Sequence, residues 1–191
     1  MTALTINFRP VIDLTDEQFF QLCQSHELIQ FERNADGTLV LMPLVGGLTS
    51  IRNADLIGQL GEWNCQKNLG VGFGSSTGFT LPNGAVRSPD ASWVECAKWD
   101  ALTQEEKERF APLCPDFVAE LCSDSDCLIR LRNKMREYIE NGASLGWLID
   151  IENRCVEIYR PLFDVEVLEN PSCVSGEPVL AGFVLNLERI W

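Results

Sequence analysis

Apolar residues recur along the chain with two periods, near 3.6 and near 2, and these divide it into helices and strands. Thr15-Asp16-Glu17-Gln18 opens a helix: Thr15 is placed as N-cap and Gln18 to complete a capping box, while Phe19, Phe20, Leu22 and Cys23 supply an apolar side. Residues 29–33 and 38–42 read as a hairpin turned at Asp36-Gly37, and Gly46-Gly47 ends that unit. From 49 to 68, Ile51, Ala54, Ile57, Leu60, Trp63 and Cys65 approximate a helical period, which Leu69-Gly70 should stop. Residues 71–81 form one irregular strand or two pieces, and Pro82-Asn83-Gly84 a turn. A strand over 89–94 tolerates proline at its first position. A short charged helix over 102–110 is capped by Thr103, and a second strand, 115–121, is apolar enough to lie centrally. A helix over 126–141 ends at Asn141-Gly142; strands 145–151 and 155–159 turn around Glu152-Asn153, and 165–168 adds another strand. The order predicts an α/β fold with a mixed sheet.

The chain of 191 residues has the size of one domain, and 46% hydrophobic against 23% charged residues is ordinary for a soluble globular protein. No apolar run approaches the roughly 20 residues that span a bilayer. The first ten residues lack a basic region followed by an apolar core, so no signal peptide and a cytoplasmic location are expected. Eight cysteines are scattered without a C-x-x-C pair, and His26 is the one histidine, which argues against a zinc site and for free thiols acting as small buried hydrophobes. A net charge of −13, from 15 basic and 28 acidic residues, counts against tight non-specific binding of nucleic acid without excluding a nuclease.

Two strands each carry one carboxylate among apolar neighbours: Asp90 within Arg87-Ser88-Pro89-Asp90-Ala91-Ser92-Trp93-Val94, and Glu120 within Pro115-Asp116-Phe117-Val118-Ala119-Glu120-Leu121. A lone acid in such a setting is costly unless compensated. Two on neighbouring strands could share a divalent cation. Asp116 lies four residues before Glu120, roughly 13 Å along an extended chain, and belongs at the mouth of the strand.

In the helix over 126–141, at about 100° per residue, Leu128, Leu131, Met135, Tyr138 and Ile139 share one sector and should face the sheet. Lys134 falls about 40° outside it, beside Tyr138, where its stem can follow the apolar edge. Snorkelling without function is the simpler reading of periodicity alone. Arg130, Arg132, Lys134 and Arg136 form a basic cluster that a solvated helix face, balanced by Glu137 and Glu140, explains equally well.

Phe31-Glu32-Arg33 with Asp36-Gly37, Arg87-Ser88-Pro89-Asp90, and 115–121 with Ser123 and Ser125-Asp126 stand in a fixed order. Lys134-Met135, Tyr138, Asn141-Gly142-Ala143, Gly146-Trp147-Leu148-Ile149-Asp150 and Gly182-Phe183-Val184-Leu185 continue it. Over nearly its whole length the chain resembles the Uma-two family of endonucleases, in the PD-(D/E)XK nuclease superfamily. The resemblance implies a restriction-endonuclease-like mixed β-sheet core flanked by helices, with an N-terminal helix-hairpin extension, in a single domain over 1–191.

The resemblance also implies that Asp90 and Glu120 ligate Mg²⁺ or Mn²⁺ together with the Leu121 backbone carbonyl, and that the chain hydrolyses phosphodiester bonds of nucleic acid. DNA is the expected substrate; no membrane partner is expected, and a homodimer is admitted. The superfamily lysine two residues after the second acid is replaced here by Cys122, and the family pattern moves it to Lys134. Glu32 resembles a further acid near the N-terminus, although a glutamate flanking a turn is more often solvated. Three expectations follow. Asp90 and Glu120 should converge on adjacent strands, Trp147, Leu148 and Ile149 should be buried beside Val118 and Leu121, and Lys134 should point into the acidic cleft. As an edge residue, Lys134 should tolerate exchange for methionine with folding nearly intact. The competing classes are an inactive nuclease-fold module that binds or scaffolds, and an α/β protein whose buried acids are satisfied polar groups.

Overall fold

A computed structural model describes residues 4–9, 11–26, 28–42, 44–122 and 128–191. In chain order the elements are β1 (Leu4–Ile6), α1 (Asp16–Ser25), β2 (Gln30–Arg33), β3 (Leu39–Met42) and α2 (Gly47–Lys67). Then come β4 (Gly70–Gly74), β5 (Phe79–Thr80), β6 (Val86–Arg87), β7 (Ala91–Glu95), α3 (Cys96–Asp100) and α4 (Gln104–Glu108). β8 (Phe117–Cys122), α5 (Leu128–Glu140), β9 (Leu145–Asp150), β10 (Cys155–Tyr159), β11 (Glu166–Glu169), β12 (Cys173–Ser175) and β13 (Val184–Asn186) complete the series.

The central six-stranded sheet has the order β11-β10-β9-β8-β7-β4, antiparallel except for the parallel β8/β9 pair joined across α5. β8 and β9 are buried at every position, which their near-continuous apolar sequences permit. Trp147, Leu148 and Ile149 are fully buried, and Val118 and Leu121 lie opposite Gly146 and Ile149, as expected. Side-chain alternation splits the sheet into two faces. Trp93, Phe117, Ala119, Leu121, Trp147 and Ile149 pack with Leu56, Leu60 and Trp63 of α2, and with Leu185 of β13. Val94, Val118, Cys122 and Leu148 pack with Leu131, Met135 and Tyr138 of α5.

A second, five-stranded sheet has the order β1-β3-β2-β6-β5. The hairpin β2/β3 is built into it, so the helix and hairpin near the N-terminus form a wall of the structure and not an appended arm. The turn is the expected one, with Gly37 at φ +86°. Phe19 of α1, Leu39 and Val86 form its core, with Phe31 and Leu41 packed against them.

Several sequence expectations shift here. The 71–81 segment divides between the two sheets as β4 and β5, and the Arg87–Asp90 run also divides, Arg87 on β6 and Asp90 just ahead of β7. α2 begins at Gly47, with Gly46 as its N-cap, and turns its Leu56, Leu60, Trp63 face inward while Ile51, Ala54 and Cys65 are exposed. It ends at Asn68 in the left-handed region, φ 52°, before Gly70 opens β4. The helix expected from 126 is described from Leu128; Ser123, Ser125, Asp126 and Cys127 lie outside the described residues. All seven described cysteines are free, but only Cys114 and Cys122 are buried; Cys65 and Cys173 are exposed. No helix among the described residues is long and apolar enough to cross a membrane.

Candidate active site

Glu120 lies in the middle of β8 on the face that carries Val118 and Cys122, so alternation turns its carboxylate towards α5. The antiparallel register sets Ala91 opposite Ala119, which brings Asp90 beside Glu120 at the end of β7. Asp90 Oδ2 accepts the Leu121 backbone amide at 2.8 Å, and its Oδ1 accepts from Asn53 Nδ2 of α2 at 3.2 Å. The two acids thus meet on adjacent strands, with Asp90's charge felt by Glu120. Leu121 enters the site through its amide, which donates to Asp90.

Lys134 reaches the same point from α5. Its Nζ lies 2.8 Å from Glu120 Oε1 and 2.7 Å from Glu32 Oε1, with the Tyr138 ring 5.8 Å away. The snorkelling reading fails: Lys134 is 8% exposed, an ammonium enclosed between two carboxylates. The solvated reading of Glu32 fails too, at 2% exposure. Phe31 packs with the α1 core, so alternation points Glu32 to the opposite side of β2, where it meets Lys134. Glu32 also accepts the Ser88 amide at 3.0 Å and Arg87 Nη1 at 3.4 Å, and Arg87 Nε donates to Glu137 of α5 at 2.6 Å. This chain of charges ties the five-stranded sheet to α5.

Burial raises the pKa of Glu120 to about 7; the ammonium of Lys134 pulls against this, while Asp90 and Glu32 reinforce it. Glu32 is also pushed up by burial, but Lys134 and Arg87 outweigh it and hold the carboxyl below its ordinary range. Burial would neutralise Lys134, yet Glu120 and Glu32 leave its pKa raised, so it is a cation. Burial and then the charge of Glu120 raise Tyr138 well above the ordinary phenol, and its neutral hydroxyl donates to Glu120 Oε1 at 3.1 Å.

The remaining candidates separate from this cluster. Asp116 accepts the Glu95 amide at 2.9 Å and pairs with Lys98 at 3.1 Å, a structural clamp at the mouth of β8. The basic cluster on α5 disperses: Arg132 pairs with buried Glu157 on β10, and Arg136 hydrogen-bonds Asn133. Arg87, Tyr138 and Asn53 join the site without having been singled out for it. An arginine inside a short apolar run was the available sign of Arg87; nothing local marks Asn53.

The donor set suits a hard divalent cation. Asp90 and Glu120 offer carboxylate oxygens from neighbouring positions where β7 pairs with β8, the donor type such ions take. Among the described residues, no three His, Cys, Asp or Glu side chains gather closely enough to hold a metal alone. An ion here would complete its shell with amide or backbone oxygens and water, as Mg²⁺ commonly does.

Two acids and a lysine thus gather where β7 pairs with β8 in the mixed sheet. The chain belongs to the Uma2 family, described as "Putative restriction endonuclease", whose model matches residues 16–188. A crystal structure described as a "putative nuclease belonging to DUF820" from Anabaena variabilis is similar over 93% of this chain and 97% of that chain, with a TM-score of 0.76 at 20% identity. No curated protein matches the chain.

Proposed function

We propose that the protein is a divalent-cation-dependent endonuclease that hydrolyses phosphodiester bonds, with DNA as the expected substrate. The observation that carries this is that Glu120 of β8 has Asp90 beside it, just ahead of β7, and Lys134 of α5 on its carboxylate. Asp90 and Glu120 would hold Mg²⁺ or Mn²⁺, with the Leu121 carbonyl as the backbone oxygen. The cation, when bound, polarises a phosphoryl oxygen and acidifies water. Lys134 keeps its proton between two carboxylates and offers a fixed positive charge where negative charge grows in the transition state. Glu32 fixes Lys134, Arg87 and the Ser88 amide at once, so it acts as a positioning residue. Tyr138 orients Glu120 through its hydroxyl.

One observation favours a second reading. Lys134 already neutralises Glu120 and is itself enclosed, an arrangement that also serves a purely structural ion triad in an inactive, binding or scaffolding relative. A divalent-cation titration joined to cleavage assays on plasmid DNA, single-stranded DNA and RNA separates the two. The nuclease reading expects nicking in Mg²⁺ or Mn²⁺ that stops in EDTA and in Asp90→Asn. Cation binding without cleavage of any substrate favours the inactive relative; no cation binding rejects a metal site.

A further inference from the structure

Three buried side-chain polar atoms lack a hydrogen-bond partner among the described residues: Asn53 Oδ1, Ser92 Oγ and Trp147 Nε1. Trp147 sits in the apolar layer with Phe117 and Phe183, and Ser92 lies between Phe73 and Val118 on neighbouring strands. Asn53 differs, because its amide is tied to a site residue: Nδ2 donates to Asp90 Oδ1 at 3.2 Å. That bond fixes the amide, since turning it over would set two oxygens against each other. Its Oδ1, bonded to the same carbon as Nδ2, is therefore held close to the Asp90 carboxylate with nothing to accept. A sealed, unpaired carbonyl oxygen costs about 1–3 kcal/mol, which a structural asparagine beside one carboxylate would have no reason to bear.

We propose that Asn53 is the third side-chain oxygen donor of the Asp90/Glu120 site: Nδ2 orients Asp90 and Oδ1 ligates the divalent cation. This rests on the metal-dependent reading above and deepens it by naming a ligand that is not an acid. Amide oxygens are ordinary ligands of hard cations, and a metal–oxygen contact is about 2.0–2.6 Å, against roughly 2.8 Å for a hydrogen-bonded water. The shorter contact means that closure to water does not by itself close this oxygen to an ion. The placement also supplies what the two carboxylates lack, a neutral donor that adds coordination without adding repulsion beside Glu120. It comes from the first turns of α2, on the opposite side of the sheet from α5, so the cation would be held from both sides.

The test is Mn²⁺ binding by the full chain, followed by electron paramagnetic resonance and by the Mn²⁺-dependent rise in Tm, for wild type, Asn53→Leu, Asn53→Asp and Asp90→Asn. Asn53→Leu should bind Mn²⁺ at least about tenfold more weakly, yet stay near wild-type stability without metal, because removal of the orphaned oxygen offsets the lost bond to Asp90. Asn53→Asp keeps the oxygen but loses the donor, and should bind as well as wild type or tighter. Wild-type affinity in Asn53→Leu overturns the assignment, as does an Asn53→Asp variant as weak as Asn53→Leu, which would mean that only the bond to Asp90 matters. If wild type itself fails to bind Mn²⁺, the metal-dependent reading falls and this one with it, an outcome distinct from the other two.

Discussion

Replacing Lys134 with methionine keeps the stem's volume and removes one buried charge, so its effect reads the ion triad directly. At 2.8 and 2.7 Å the two contacts have a gross attraction of about 6 kcal/mol each at an effective dielectric constant near 20. Most of that offsets the several kcal/mol per ion lost on burying three charges. Removing one partner leaves the others stranded, which typically costs about 3–5 kcal/mol. Glu32 keeps Arg87 and the Ser88 amide, whereas Glu120 keeps only the Tyr138 hydroxyl and the company of Asp90. Glu120 should therefore take up a proton in the variant, its pKa rising further from about 7. A carboxyl with a raised folded pKa stabilises the folded state at low pH, and that contribution is lost as pH rises through the folded value. In metal-free urea unfolding, the Lys134→Met deficit should be about 3–5 kcal/mol at pH 8 and narrow by about 1–2 kcal/mol at pH 5.5. The sequence had suggested near-neutral folding for this exchange; full enclosure of the ammonium reverses that. A deficit below about 1 kcal/mol at pH 8, or one that does not shrink on acidification, would refute the buried triad. Cleavage, measured on folded protein, should also fall by about two orders of magnitude.

Other outcomes are equally specific. Gly70→Ala would place its Cβ 2.3 Å from the Val94 carbonyl and 2.4 Å from the Trp93 ring, so Tm should fall by an amount matching about 2–3 kcal/mol, whereas at Gly146 the one close approach is the flexible end of Met135, at 2.5 Å, with Val118 and Tyr159 at ordinary contact, so Gly146→Ala should cost less. Similar losses in the two would contradict the packing at β4. Cys114, whose thiol burial pushes up to about 12, should resist alkylation at pH 8 in the native state while exposed Cys65 and Cys173 react within minutes; rapid native labelling of Cys114 would contradict its burial. Thr15→Ala and Thr103→Ala each remove a complete capping box and should lower stability by about 1 kcal/mol in chemical denaturation, with no loss at either site contradicting the caps.

Local signals carried well from sequence to structure. The Thr15 capping box, the Thr103 cap, the Asp36-Gly37 turn and the apolar runs of β8 and β9 depend on residues a few positions apart, and each forms where the pattern puts it. The early turns of α2 were mis-phased because Ile51 is apolar yet exposed, which drew the period off Leu56, while Leu60 and Trp63 on the same inward face were read correctly. The three-residue strands β1, β12 and β13 are too short for a period to register. In the site, Asp90 and Glu120 were legible because an acid in an apolar strand needs a reason. The depth of Glu32 and Lys134 was not, since it comes from packing the five-stranded sheet against α5, a contact between segments about 100 residues apart.

Everything proposed for the site depends on Asp90 and Glu120 sharing one divalent cation. Anomalous diffraction from crystals grown with Mn²⁺ tests it most directly. A single peak is expected within about 2.0–2.6 Å of a carboxylate oxygen from each residue, absent from crystals of Asp90→Asn grown in the same solution. Crystals that hold no ion between these two carboxylates at millimolar Mn²⁺, or that hold it only elsewhere, would contradict it.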